Sequence, residues 1–400
     1  MATIVKRGRL LLRAAFFVMV FTNHGAAWAQ TRTLSITLTG QSMIRSDIRA
    51  TAPSAMPTIA SLVKGGDVTF TNLEGTVAEP GQPNEDAPLM GSGFLTPPGA
   101  LETLKALGFN LLALSDNHSN DLGIPGIQNT LREVSRLNLA HAGTGATIEE
   151  AVAPGYLHTP KGTVALVAIA SGLIRPDSRA TSTRPGVNEL RVGPGNTPNQ
   201  EDANRILNSI RAASKQADLV IVYEHNHVFD KPFGTIFREA LPDRLAPADW
   251  LKKWVRAEID AGADLVVMHG APLLHGIEIY HGRPIFYDLG NFIFNAPPTM
   301  WTLQEPLTWD SVVPFVQFEG KRLQSIELRP IELNFIGEGQ PDTTDPHANN
   351  QYLDTRGLPH PATGEHAGYI LARVAEYSRP FGTTIQINGE SAKISLKGEK

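Results

Sequence analysis

A chain of 400 residues, 42% hydrophobic and 19% charged, has globular composition and enough length to bury a core in one large α/β domain or two smaller ones. Its formal net charge of −5 makes no electrostatic case for binding DNA or RNA. It has no cysteine, which excludes disulfides, thiolate metal sites and thiol catalysis.

The first 29 residues read as a secretory signal peptide. Lys6, Arg7, Arg9 and Arg13 form a basic n-region, and AAFFVMVF (14–21) is an apolar run too short to span a bilayer. AWA (27–29) places small residues at −3 and −1 before Gln30, so cleavage is expected after Ala29, with an uncleaved anchor as the alternative. Removal of this segment takes away four positive charges and no negative ones, so −5 becomes −9. No later segment is apolar enough for a membrane helix, and the mature chain is expected in the periplasm or outside the cell.

Strand-like and helix-like patterns then alternate, the signature of an α/β sandwich. TLSITLTG (33–40) alternates, while DVTFTNLE (67–74), NLLALS (110–115), LVIVYE (219–224) and DLVVMH (264–269) are short and rich in Val, Ile and Leu, as buried strands are. Amphipathic helices are predicted over 97–108, 201–216 and 247–262. In the last of these Trp250, Leu251, Trp254, Val255 and Ile259 make an apolar stripe suited to the core. Two long Gly- and Pro-rich loops, 172–200 and roughly 336–365, read as lids or solvated insertions. VVPFVQFEGKRLQSIELRPIEL predicts an antiparallel pair turning at Glu319–Gly320; a helix (366–378) and a strand-like tail (383–396) follow. The expected organisation is a leader (1–29), one domain (30–335) and a C-terminal extension (336–400) packed on it.

Polar residues collect at the strand ends. The five predicted strands finish at Gly40-Gln41, Asn72-Leu73-Glu74-Gly75, Ser115-Asp116-Asn117-His118, Glu224-His225-Asn226-His227 and His269. In an open α/β sheet the carboxyl ends of neighbouring strands converge on one crevice. Carboxylate, amide oxygen and imidazole together suit a borderline cation such as Zn²⁺, Mn²⁺ or Fe²⁺, which activates water and stabilises a transferring phosphoryl or acyl oxygen. Taken singly, each is more often a hydrogen-bonded polar residue, and Asn-His-Ser-Asn-Asp also suits a plain turn.

TNLEG (71–75), DNHSNDLG (116–123), HAGTG (141–145), VIVYEHN (220–226) and HGIEIYHGRPIFYDLGNFIF (275–294) resemble the CapA-type poly-γ-glutamate capsule biosynthesis proteins. That family resembles the calcineurin-like metallophosphoesterases in fold, which implies a four-layer αββα sandwich of two mixed sheets. The resemblance implies that Glu74 is the metal-bridging acid, Asn117 a metal-binding amide, His118 the histidine facing the leaving group, and His225 and His269 metal ligands. Two departures stand out. The family's first strand usually ends Gly-Asp, here Gly40-Gln41, and its usual Gly-His-His-Pro-His is here Met268-His269-Gly270-Ala271-Pro272. One cation (Mn, Zn or Fe) on Glu74, Asn117, His225 and His269 is therefore expected rather than two, with Glu74, Asn117 and His118 as the catalytic set. Gln41, Arg45, Glu224, His227, His275, Asp288 and Asn291 are candidates for substrate contact or for bracing the site. For His275 the favoured reading is a cap on the following hairpin, and for Arg45 an exposed side chain; Asp288 and Asn291 have the alternative of satisfying turn backbone.

Two readings follow. In one, an exported metal-assisted hydrolase or transferase acts on a phosphoester or an anionic polymer such as poly-γ-glutamate. In the other, a metal-free member of an envelope export complex binds or guides the polymer on a degraded metallophosphatase fold.

Overall fold

The computed structural model describes residues 1–2, 33–79, 95–230, 246–295, 306–339 and 351–396. All of the expected leader except Met1 and Ala2 lies outside the described residues. The chain divides into units 1–31 and 32–400, and the second is the subject below.

The short β-branched runs build two mixed sheets. In the first, β1 (Thr33–Leu38) lies parallel to β2 (Val68–Asn72), which continues in parallel through β3 (Leu111–Ala113) to β4 (Ala140–Ala142). In the second, β5 (Gly155–Thr159) and β6 (Gly162–Ser171) form a hairpin, and β6, β7 (Leu219–Asn226) and β8 (Leu265–His269) run in parallel. That sheet is finished by the hairpin of β9 (Ile277–Tyr280) and β10 (Arg283–Phe286), with β10 parallel to β8. On the far side of β1, the first sheet adds β11 (Asp310–Glu319) and β12 (Arg322–Leu333), antiparallel and joined through Gly320. The tail predicted as one strand is a second hairpin, β13 (Ile385–Asn388) and β14 (Ser391–Ile394), paired to β12.

Successive side chains on a strand point to opposite faces, and that rule sorts the apolar residues into three clusters. Ile36, Leu38, Phe70 and Leu111 of the first sheet meet Leu166, Ile221, Tyr223 and Val267 of the second in a central core. On the outer face of the first sheet, Leu112, Val313 and Ile331 pack on α1 (Met56–Val63), α2 (Pro98–Leu107) and α3 (Gly123–Arg136) through Ile59, Leu104 and Val134. On the outer face of the second, Val167, Val220, Val222 and Val266 pack on α4 (Gln200–Ala213) and α5 (Asp249–Ala261), where Ile206, Ile210, Trp250, Trp254 and Val255 are buried. The result is a mixed α/β architecture in which helices flank two facing sheets. Each fully buried Leu, Ile, Val or Phe contributes about 1.5–3 kcal/mol relative to exposure, so the three clusters dominate the favourable side of folding.

Local chemistry sets the helix limits. Asn199 caps α4 by accepting from the Asp202 N–H, and α2 and α5 stop at Gly108 and Gly262, both at positive φ. α6 (Gly364–Ser378) lays Ala367, Ile370, Leu371 and Val374 into the central core. The loop 172–200 is tied down: Gly186–Val187 pairs with Thr144–Gly145, and Val192–Gly193 with Thr197–Pro198. No helix among the described residues is long and apolar enough to cross a membrane.

Candidate metal centre

β1, β2, β3, β7 and β8 are mutually parallel within their sheets, so their carboxyl ends deliver side chains to a common crevice. Glu74 follows β2, is 4% exposed, and donates its N–H to the Ser42 carbonyl. Asn117 and His118 lie in the turn after β3. There Asp116 Oδ1 accepts from the His118 N–H at 2.8 Å, and Ser119 Oγ accepts from the Asp116 N–H at 3.0 Å. β7 runs two residues past its predicted end, so strand alternation puts Tyr223, His225 and His227 on one face and Glu224 and Asn226 on the other.

One carboxylate oxygen of Glu74 and one ring nitrogen each of His225 and His227 lie within 4.8 Å of one another, the one such group among the described residues. His225 Nε2 is 3.7 Å from Glu74 Oε1, 3.0 Å from His227 Nε2 and 2.9 Å from Asn117 Oδ1. Two ligands each about 2.1 Å from one ion are at most about 4.2 Å apart, a limit that all three spacings from His225 meet. Burial pushes the His225 ring well below the usual imidazole range, helped by His227, His269 and His118, and takes His227 down to about 3. Both rings are therefore neutral near pH 7, the form that binds metal. Burial pushes Glu74 up to about 7, with His118 opposing and Asp121 adding, and Glu74 Oε2 has no hydrogen-bond partner. A carboxyl group, two neutral imidazoles and an amide oxygen thus bring four potential metal-binding groups into one small space. This donor set fits a divalent cation.

His118 is of opposite character. Its Nδ1 meets Asp121 Oδ2 at 2.7 Å. Burial opposes charge on the ring, but the Asp121 hydrogen bond and charge, with Glu74 and Asp116, outweigh it and hold the pKa up to about 9. At neutral pH this is an imidazolium able to donate a proton. Asp121 was not among the residues singled out from sequence; its spacing of three from His118 was the available signal.

The other candidates separate by environment. His269 sits beside His225 in register, yet its Nε2 reaches the Thr39 carbonyl at 3.0 Å and its Nδ1 meets the Asn72 amide at 2.9 Å. Both of its partners lie outside the cluster, and His269 is not in the group that His227 joins. Glu224 is corrected as a residue that contacts His225 or substrate. It points into the opposite layer, accepting from Ser171 Oγ at 3.1 Å and Trp254 Nε1 at 3.4 Å. Arg45 is corrected too: its side chain is 8% exposed and lies 3.9 Å from Asp354, so it is turned inward. Asp288 ties turn backbone, accepting from Ala271 and Gly290 N–H at 2.8 and 2.7 Å. Asn291 donates to the Thr308 carbonyl at 2.9 Å, and the His275 N–H donates to the Asp288 carbonyl at 3.0 Å. Gln41 is 2% exposed, with Oε1 unpartnered and its N–H on the Gly290 carbonyl. At Gly270, where the resemblance implies a histidine, φ is +123° and a Cβ would lie 2.3 Å from the Asn226 carbonyl oxygen. No imidazole fits there without moving the backbone.

The profile of the bacterial capsule synthesis protein PGA_cap family matches residues 35–296. This chain belongs to that family. Its relatives include the uncharacterized protein y4sH of Sinorhizobium fredii, 30% identical over 84% of this chain and 88% of that one. The PGA biosynthesis protein CapA of Bacillus subtilis is 28% identical over 59% of this chain and 54% of its own length. The capsule biosynthesis protein CapA of Bacillus anthracis is 28% identical over 60% and 52%. All six residues of the cluster and its acid pair, Glu74, Asn117, His118, Asp121, His225 and His227, fall within the PGA_cap match.

Proposed function

We propose that this PGA_cap protein is an exported, metal-assisted hydrolase or transferase of envelope polyanion metabolism, built on a calcineurin-like metallophosphoesterase fold. The observation that carries the reading is the convergence of Glu74, His225 and His227 within 4.8 Å. These three residues would hold one divalent cation (Mn²⁺, Zn²⁺ or Fe²⁺), with the Asn117 oxygen beside them. Such a cation, when bound, lowers the pKa of water and stabilises charge developing on a phosphoryl or acyl oxygen. His118, kept cationic by Asp121, donates a proton to the leaving group. The substrate is a phosphoester or an amide in an anionic polymer such as poly-γ-glutamate, a choice supported by the capsule and PGA names of the relatives. The basic and apolar pattern of residues 1–29 supports export to the periplasm or beyond.

The test is metal analysis of the purified mature chain, with a generic phosphodiester and a γ-glutamyl polymer assayed in parallel. His225→Ala is expected to abolish both bound metal and turnover, and turnover that survives in this variant refutes the reading. A non-catalytic polymer-binding subunit is the second reading, favoured by Gln41, Gly270 and Pro272 standing where the resemblance implies an aspartate and two histidines of a second cation position. It expects polymer retention with neither stoichiometric metal nor hydrolysis.

A further inference from the structure

The phenol of Tyr223 lies in the central core, fully buried, with its ring against Phe70 and His269. Its oxygen makes one hydrogen bond among the described residues, to His225 Nδ1 at 2.9 Å. A buried hydroxyl needs an acceptor for its proton, and this one has a single place to send it. The hydroxyl therefore donates to Nδ1. A neutral imidazole that accepts at Nδ1 carries its own proton on Nε2. Here Nε2 faces Asn117 Oδ1 at 2.9 Å, an acceptor that completes the chain from Tyr223 through His225 to Asn117. Nε2 is also the nitrogen that faces Glu74 and His227.

We propose that Tyr223 is a positioning residue that holds His225 in the tautomer with its proton on Nε2, so that loading a cation requires the imidazole to change tautomer. This rests on the cation reading above. The proton count of the ring is unchanged, because Nδ1 takes up what Nε2 gives away. What changes is the phenol: with Nδ1–H now donating to its oxygen, the hydroxyl proton loses its acceptor inside the core. Histidine ligands ordinarily have the reverse arrangement, with the second nitrogen donating to a fixed acceptor that favours ligation. Tyr223 instead sets a threshold against it, and the site fills only at higher free cation.

Two measurements on the metal-stripped full chain decide this. Two-bond ¹⁵N–¹H spectra of histidine-labelled protein report the tautomer directly, with the His225 signal identified by its loss in His225→Gln. The expected pattern is the Nε2–H tautomer in the wild type, relaxing toward a mixture in Tyr223→Phe. A wild-type His225 with its proton on Nδ1 overturns the proposal. In a competition titration with Zn²⁺, Tyr223→Phe is expected to bind about tenfold tighter, the effect of removing one orphaned buried hydroxyl. Equal or weaker binding overturns it, since loss of an ordinary supporting partner weakens affinity. A wild-type chain that takes up no Zn²⁺ overturns the cation reading instead, and the tautomer spectrum still decides where the proton sits.

Discussion

His227→Ala against His269→Ala separates two histidines near His225 whose hydrogen-bond partners differ. Structural zinc sites in zinc-finger peptides bind with apparent free energies of about 10–16 kcal/mol at pH 7. Spread over four ligands this is about 3 kcal/mol each, or about 100-fold in affinity per ligand lost. His227 reaches the cluster from the end of β7 and contributes Nε2, 3.0 Å from His225 Nε2. Its loss should weaken Zn²⁺ binding about 100-fold, read by competition with a chromophoric chelator, and should change the metal-free stability by less than about 1 kcal/mol. His269 makes no such contribution, but it satisfies the Thr39 carbonyl and the Asn72 amide inside the core. His269→Ala should leave Zn²⁺ affinity within about twofold and lower unfolding free energy by about 1–3 kcal/mol, the cost of an unsatisfied buried group. The reasoning fails if the two phenotypes are exchanged, or if His227→Ala binds Zn²⁺ like the wild type.

His118→Asn should reduce turnover by about 10²–10⁴-fold while leaving cation affinity unchanged, and a parallel loss of affinity would make His118 a ligand instead. Asp121→Asn removes the charge that, against burial, holds His118 up to about 9, so the alkaline limb of the rate profile should move to lower pH. A different test addresses Glu224 and Glu258, which face each other in the core between the second sheet and α5. Burial pushes Glu224 up to about 8 from 4.5, and pushes Glu258, with Glu224 beside it, well above the carboxyl range. The folded chain keeps these protons at pH values where the unfolded chain has lost them. Stability is therefore highest below about pH 4.5 as far as this pair is concerned and falls as pH rises toward 8. Glu258→Gln should flatten that decline in thermal unfolding across the same window; an unchanged slope sinks the assignment.

Much of the frame could be read from periodicity. The buried runs at 67–74, 110–115 and 264–269 are strands to within two residues at either end, and the Trp250–Ile259 stripe is core as its spacing of three and four predicts. Several elements were passed over, two of them long. GTVALVAIAS is β6, central in the second sheet, and a continuous apolar run has no alternation to mark it. GIPGIQNTLREVSR is α3, whose Gly and Pro fall in its first turn, where helix starts tolerate them. The side of β7 was legible too. Once Tyr223 faces the core, period two sends His225 and His227 the same way and Glu224 the other, so treating all the neighbours of His225 alike was avoidable.

The sequence alone determined most of the strands that carry the site, that their polar ends gather, and that carboxylate, amide and imidazole chemistry would meet there. These properties follow from local spacing and residue type. Tertiary structure decided which imidazoles remain available. His269 looks as suitable as His227 by type, but its partners Thr39 and Asn72 lie 230 and 197 residues away in the chain. His225 shares its Nε2 with Asn117, a member of the cluster, whereas both nitrogens of His269 are held by groups outside it, and that difference is settled by what the fold brings within 3 Å.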